Sequence, residues 1–324
     1  MGETTDDGRP GADHHVGEGD LGGEGTGAHR PSPFGAPAEI PTRVLVLGMV
    51  RNDGSLEAGE LYDVAEACGQ TPEQVRSCLR RLVGEGLFAR RGEGRDAHFR
   101  ATPQGLRAMV ASMDRTRLAF AQDAAGRGWD RRWHLVAFAI PEAKRSSRDA
   151  FRDQLIDLGG AAVQNGLYLS PHPWEKATGD QAERLGVLEH TTFATTDDLV
   201  VGGVDDPREL ARALWPIDDL ARRYEAFIEE FREVPELLQR RRRDKQRLTE
   251  AEFLPGSLSF GIKFQQCFND DPLLPPELLP RPWPGRQARE LVITCRRLGV
   301  LLREEHDKPK LFAPWDDLLL SFRS

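Results

Sequence analysis

The sequence has few cysteines and no long apolar run. No stretch approaches the roughly 18 apolar residues of a membrane-spanning helix, and the N-terminus lacks the basic-then-apolar pattern of a signal peptide. We therefore expect a cytoplasmic protein that makes no contact with a membrane. Because the cysteines form no C-x-x-C pair, we expect neither a disulfide nor a zinc site. The four are Cys68, Cys78, Cys267 and Cys295.

The common sequence signatures of enzymes are also missing. There is no G-x-S-x-G, no H-E-x-x-H and no phosphate-binding loop. We therefore predict a protein that is not an enzyme, with no catalytic residue, cofactor or metal. The alternative is a metal-dependent nuclease built on the middle of the chain, which would need carboxylates at the end of a strand to hold a divalent ion. Glu142 is the only acid at that position.

Residues 1–39 contain almost nothing that could form a core. They include ten glycines, eight acids and only two arginines, and hardly any aliphatic residue. Such a segment cannot bury enough apolar surface to offset the entropy lost on ordering. We predict that it is a disordered, acidic arm. It supplies about −6 of the net charge of −8.

Residues 40–117 have the pattern of a winged helix-turn-helix. Apolar spacing predicts helices over 42–50, over 56–68 and from 72 to about 83, followed by short strands over 87–91 and 98–101. The third helix begins clearly, because Thr71 can cap its free N–H groups and Pro72 suits its first position. Val75, Cys78 and Leu79 start its apolar stripe. That order of elements places one helix in a DNA major groove with a basic loop beside it.

The charge of this region supports DNA binding. Residues 70–107 hold eight arginines and four acids, on a chain whose overall charge is negative. We predict that the third helix reads bases and that the hairpin contacts phosphate or enters the minor groove. A solvated helix face, in a winged module that serves only as a protein adaptor, is the alternative. The predicted DNA-binding residues are Thr71, Gln74, Arg76, Ser77, Arg80, Arg81, Arg91 and Arg95.

Residues 130–206 alternate between strand and helix. We predict a strand over 133–140, a helix to Leu158, a strand over 162–169, a weaker helix over 181–188, and strands over 191–194 and 199–204. A β-α-β-β-α-β unit of this size is the ferredoxin-like arrangement. The sequence therefore predicts an α+β protein with a central ferredoxin-like α/β domain.

Residues 207–324 read as a helical domain for dimerisation or effector binding. We predict helices over 207–231 with a kink at Pro216, and over 236–248, 258–268 and 287–303. Six prolines from Pro272 to Pro284 rule out a long helix in that interval. Because winged regulators generally bind paired half-sites, we expect a homodimer.

Several segments together resemble the PaaX family of phenylacetic-acid-degradation repressors. The resemblance runs from about Pro41 to the C-terminus. It depends on the winged module, on residues 133–142, on Asn165-Gly166-Leu167-Tyr168-Leu169-Ser170-Pro171, and above all on the proline-rich segment. That segment runs from Asp271-Pro272-Leu273-Leu274-Pro275 through Leu278-Leu279-Pro280 to Trp283-Pro284-Gly285.

The resemblance implies a repressor in three parts that binds double-stranded operator DNA. The middle part would be similar to the CRISPR-associated ferredoxin-like endoribonucleases, and an aryl-acetyl-coenzyme A thioester would relieve repression. The acidic arm is an addition to the family pattern. Because the phosphates of coenzyme A need cationic partners, we take Arg145, Arg148 and Arg152, with Trp133 nearby, as candidate ligand-binding residues.

Overall fold

The computed structural model describes residues 41–302 and 311–321. The predicted acidic arm over 1–39 lies outside these residues. Helices dominate the described chain, together with one three-stranded and one four-stranded sheet, all of whose pairings are antiparallel. The predicted α+β class is confirmed.

The N-terminal part packs three helices on a small sheet. Its elements are α1 (Thr42–Gly48), β1 (Ser55–Glu57), α2 (Ala58–Ala67), α3 (Pro72–Gly84), β2 (Phe88–Arg91) and β3 (His98–Ala101), with strand order β1-β3-β2. The predicted helices and hairpin are present. The predicted start of the second helix was wrong, because Leu56 pairs with Phe99 across the sheet and so forms a strand.

A long helix, α4 (Pro103–Ala125), leaves this part and was not predicted. Thr102 caps it by accepting a hydrogen bond from the Gly105 N–H at 3.1 Å, and Gly126 ends it in the left-handed conformation. The start of α4 lies tightly against the chain before β2, where a Cβ on Gly105 would come 2.2 Å from the Leu87 carbonyl oxygen. The predicted domain limit at residue 117 falls inside this helix.

The middle part is a four-stranded sheet with two helices. Its elements are β4 (Trp133–Phe138), α5 (Arg145–Asp157), β5 (Ala161–Gln164), β6 (Leu167–Ser170), α6 (Glu175–Arg184) and β7 (Thr191–Thr196). The strand order is β5-β6-β4-β7. The predicted β-α-β-β-α-β sequence of elements is therefore confirmed, and in this order the first and third strands are central.

The individual elements predicted for the middle part need three corrections. The single strand over 162–169 is a hairpin, because Asn165-Gly166 makes a two-residue turn in which Gly166 has φ 75°. Residues 199–204 hold only the bridge between Val201 and Val204 rather than a strand. Helix α6 starts at Glu175 instead of residue 181.

The C-terminal part is helical, as predicted. It contains α7 (Pro207–Leu214), α8 (Ile217–Phe231), α9 (Val234–Arg243), α10 (Glu250–Phe268), α11 (Pro284–Leu302) and α12 (Ala313–Ser321). The helix predicted over 207–231 is broken at Trp215-Pro216, because proline cannot continue the hydrogen-bond ladder. Helix α9 ends five residues earlier than predicted, α10 begins eight residues earlier, and α12 was not predicted.

The proline-rich segment between α10 and α11 is folded around a buried carboxylate. Asp271 is 3% exposed. It accepts hydrogen bonds from the Tyr224 hydroxyl and the Leu273 N–H, both at 2.8 Å. Arg289 of α11 lies 3.6 Å from the same carboxylate and makes two hydrogen bonds to Asp123 of α4, at 2.6 and 2.9 Å. Two carboxylates therefore hold one buried guanidinium where α4 meets the C-terminal helices.

The same segment fastens the middle part to the rest of the chain. The Leu273 carbonyl accepts hydrogen bonds from His172 Nε2 at 2.8 Å and from the Gln122 amide at 3.3 Å. Gly159, which precedes β5, lies very close to Pro272. A Cβ on Gly159 would be 2.7 Å from the Pro272 carbonyl oxygen. These contacts give the most distinctive motif of the sequence a structural role.

Candidate nucleic-acid interface

Helix α3 begins at a complete capping box. The Thr71 hydroxyl accepts a hydrogen bond from the Gln74 N–H at 3.3 Å, and the Gln74 side-chain oxygen accepts one from the Thr71 N–H at 2.7 Å. Pro72 follows as the first helical residue. These interactions fix the start of α3, and with it the residues that face outward one turn later.

One face of α3 is buried in the N-terminal part. Val75, Cys78, Leu79 and Leu82 are between 0 and 4% exposed and belong to a core that α1 and α2 also supply. Gly69 has φ 73° in the turn before the helix, a conformation that glycine adopts without strain. Burial of this stripe leaves the opposite face of α3 open to solvent.

The open face of α3 carries arginines beside one acid. The side chains of Arg76 and Arg80 are 54% and 71% exposed, and they lie 2.8 and 3.5 Å from the carboxylate of Glu73. The hydrogen bond from Arg76 lowers the pKa of the Glu73 carboxyl, which therefore stays ionised. More than half of each of these two side chains is open to solvent among the described residues, and Arg81 is also exposed. The face can meet an anion, with Glu73 offsetting part of its charge.

Two of the predicted base-reading residues are less available to a ligand than the arginines. Gln74 uses its side-chain oxygen in the capping box, so a bidentate contact with adenine would require it to release the helix start. Ser77 is half-buried. Arg76 and Arg80 are the predicted residues of α3 best placed to reach a ligand outside the protein.

The hairpin presents some of its arginines and holds others. Arg91 is exposed and has no ion-pair partner in the described part of the chain. Arg90 donates to the Gly92 carbonyl at 3.0 Å. Arg95 turns back to form an ion pair with Asp63 of α2, with its guanidinium 5.9 Å from the centre of the Tyr62 ring. The ion pair of Arg95 therefore holds the loop against α2. Of the two hairpin arginines predicted to bind DNA, Arg91 is the one that remains available to a ligand.

Each of the residues predicted to bind the ligand is either buried or already paired with an acid. Trp133 is 2% exposed, packed between Trp129 and Trp215, and presents no surface to a ligand. Arg145, Arg148 and Arg152 share one face of α5, but each has an acidic neighbour. The closest of these distances are 3.7 Å from Arg145 to Glu142, 2.7 Å from Arg148 to Glu142, and 2.9 Å from Arg152 to Asp153.

The carboxylate considered for the alternative of a metal-dependent nuclease is also paired with an arginine. Glu142 lies after β4 and is held by Arg148. Within residues 41–302 and 311–321 no group of three or more His, Cys, Asp or Glu side chains is arranged to hold a metal ion. All four cysteines are free thiols. None of the helices in the same residues combines the length and apolarity that crossing a bilayer requires.

A cavity that the sequence did not indicate lies behind the interface. It has a volume of about 440 Å³ and is walled by α1 and α4 on one side and by α10, α11 and α12 on the other. Three successive turns of α10 face the cavity with phenylalanines, which are Phe260, Phe264 and Phe268. Their i, i+4, i+8 spacing was the available signal, but the same spacing is typical of an ordinary helix core.

Comparison with known proteins identifies relatives of this chain. The central Cas2-like domain of PaaX protein matches residues 126–211, and the C-terminal domain of PaaX-like proteins matches residues 215–305. The transcriptional repressor PaaX of Escherichia coli (strain K12) is 27% identical over 255 residues, which are 74% of this chain and 73% of that repressor. A solved structure of an uncharacterized protein from Mycobacterium tuberculosis is 19% identical, with a TM-score of 0.48, and covers 86% of this chain and 96% of its own. This chain belongs to the PaaX family.

Proposed function

We propose that this protein is a transcriptional repressor that binds operator DNA as a homodimer. Residues 40–117 would form a winged helix-turn-helix, with α3 in the major groove and the β2–β3 hairpin as the wing. An acyl-CoA thioester, in particular an aryl-acetyl-CoA, would release the DNA, and the regulated genes would serve aromatic catabolism. The transcriptional repressor named among the relatives of this chain supports the general function.

The observation that carries this proposal is the outward face of α3. The capping box orients the helix and the apolar stripe anchors it, so Arg76 and Arg80 project from a rigid support. Guanidinium groups in this setting can bind the O6 and N7 atoms of guanine with two hydrogen bonds. Glu73 holds both arginines near the same part of the helix before DNA arrives.

Arg91 and Arg81 fit a different role. Both are exposed, and neither has an ion-pair partner in the described ranges. Contacts from such residues to phosphate would position the module without reading sequence. Binding should therefore combine a sequence-dependent contribution from α3 with a salt-dependent contribution from the flanking arginines.

The test is a gel shift at controlled salt with duplex DNA from upstream of the protein's own gene. Arg76→Ala should weaken binding by about 1 to 3 kcal/mol, roughly 5- to 150-fold. Arg222→Ala is the matched control, because Arg222 is an exposed helix arginine 2.9 Å from the acid three residues before it, as Arg76 is 2.8 Å from Glu73. Equal affinity of the two variants would reject the assignment of α3.

A second measurement separates the repressor from the adaptor. A DNA-binding module should lose affinity for random duplex DNA steeply as salt rises, and Arg91→Ala should reduce the slope of log K against log salt by about one. An adaptor that makes no DNA contact would show neither effect.

A further inference from the structure

The cavity behind the interface has the dimensions and walls of a small-molecule site. Its volume of about 440 Å³ lies within the roughly 300 to 1,000 Å³ typical of ligand pockets. Phe120 of α4 and Phe260, Phe264 and Phe268 of α10 line it, and their rings can stack on a flat aromatic group. The cavity is partly open to solvent.

The polar groups of the cavity favour an acidic or acceptor group on the ligand. Two arginines, Arg43 of α1 and Arg296 of α11, line it, and among the described residues that line it there is no Asp or Glu. Ser112 and Thr116 of α4 add two hydroxyls. An apolar interior with cationic side chains suits an aromatic ring bearing a carboxyl carbon, since guanidinium groups bind carboxylate oxygens well.

Arg43 connects the cavity to the DNA-facing helix. Its guanidinium binds both carboxylate oxygens of Glu85, at 2.9 and 2.8 Å, and Glu85 is the residue that ends α3. A ligand oxygen that draws Arg43 inward would compete with Glu85 for the same guanidinium. Helix α1, which carries Arg43, also packs directly on α3. Occupation of the cavity would therefore act on both the end and the support of α3.

The opposite wall connects the cavity to the C-terminal helices. Phe312, just before α12, lies against α1, where a Cβ on Gly48 would come 2.8 Å from its ring. Asn52, in the turn before β1, donates a hydrogen bond to Asp317 of α12 at 2.7 Å. A ligand between these walls would contact both the N-terminal part, which carries α3, and the C-terminal helices.

We propose that this cavity binds an aromatic carboxylic acid, free or as its thioester, and that occupancy changes the affinity of α3 for DNA. The proposal rests on the function proposed above and assigns its effector site to the junction of α1 and α4 with α10–α12. A thioester would place its acyl group inside the cavity and its coenzyme A moiety outside, through the opening.

Gly261 of α10 offers a way to fill the cavity without disturbing the fold. It lines the cavity, it has a helical backbone, and a Cβ built on it meets no atom within 4 Å. Gly261→Leu should therefore place its side chain in the empty space. The matched control is Gly179→Leu in α6, a helical glycine remote from the cavity whose Cβ would make one ordinary contact at 3.9 Å. Ala108→Leu fills the cavity from α4 and replaces Gly261→Leu if that variant misfolds.

The experiment is calorimetric titration of the full chain with phenylacetate, phenylacetyl-CoA and coenzyme A alone. We expect at least one of the first two to bind the unmodified protein and Gly179→Leu equally, and to bind Gly261→Leu about ten- to a hundredfold more weakly. Binding of phenylacetate would identify the free acid as the source, and binding of phenylacetyl-CoA alone would identify the thioester. If neither binds, or if both cavity-filling variants bind as tightly as the control, the cavity is not the site.

A gel shift with the same proteins tests the regulatory half. The ligand that binds should change the DNA affinity of the unmodified protein and of Gly179→Leu, but not that of Gly261→Leu. Ligand binding without any change in DNA affinity would overturn the regulatory role while leaving the site. Failure of the unmodified protein to bind any duplex DNA would instead refute the proposed function, and the calorimetric result would stand separately.

Discussion

Replacement of Asp123 with alanine should lower the free energy of unfolding by about 3 kcal/mol, because it would leave the guanidinium of Arg289 buried and poorly compensated. The two side chains are 14% and 5% exposed, and they join α4 to α11. Burial alone would lower the pKa of Arg289, but its interactions with Asp123 and Asp271 raise that pKa. The guanidinium therefore stays charged in the folded protein and in the variant.

The magnitude follows from what remains near Arg289 once Asp123 is gone. Removal of one partner from a buried ion pair generally costs about 3 to 5 kcal/mol. Asp271, at 3.6 Å from Nη1 of Arg289, would still compensate part of the charge, which places the expected loss at the low end. By contrast, the exposed pair of Arg286 and Glu290 on the same helix should contribute less than about 0.5 kcal/mol, because solvent screens it.

Urea unfolding followed by far-ultraviolet circular dichroism measures both effects. Glu290→Ala is the control for the loss of an ion pair on α11, and the double variant Asp123→Leu with Arg289→Met should recover much of the stability lost by Asp123→Ala. If Asp123→Ala and Glu290→Ala shift the urea midpoint equally, the buried pair does not join the two helices in the way described.

Two further predictions concern the middle part. Burial lowers the pKa of His172, so the unfolded chain binds a proton more readily than the folded protein does. The stability of the fold should therefore fall as the pH drops below about 6.5. His172→Gln keeps a donor for the Leu273 carbonyl, and thermal melts of this variant should show a weaker pH dependence. Gly166→Ala should destabilise the protein by about 1 to 3 kcal/mol in urea unfolding, because Gly166 has φ 75° and a Cβ there would lie 2.5 Å from the Phe138 carbonyl oxygen. Gly186→Ala is the control, because Gly186 has a similar φ of 65° but no atom within 4 Å of its Cβ. The difference between the two variants gives the steric part of the loss in stability.

The sequence predicted best where short-range chemistry decides the structure. Thr71 followed by Pro72 fixes a helix start from local hydrogen bonding alone, and α3 begins there. The apolar stripe that starts at Val75 is buried as its spacing indicates. Asn165-Gly166 carried an equally local signal for a hairpin turn. The prediction of a single strand over 162–169 overlooked it.

The parts that sequence reasoning missed depend on contacts between distant residues. Gln74 is an exception, because it stands three residues after Thr71 in the T-x-x-Q signature of a capping box, and the prediction of a contact with adenine overlooked that local signal. Trp133 has an aromatic side chain of the kind common in binding sites, but it is packed between Trp129 and Trp215. The cavity is formed by helices more than 100 residues apart along the chain, so no window of sequence holds its two walls together.

The length of α4 has a practical consequence for dissecting the protein. Its second half carries Ala119 and Phe120 into apolar contacts with the C-terminal helices, and Ala119 packs with Phe268 and Leu273. A truncation at residue 117 would cut the helix through its middle, and one at Gly126 would expose these side chains to water. The N-terminal part, which carries α3, is thus continuous with the remainder of the fold, so measurements of DNA binding are best carried out on the whole polypeptide.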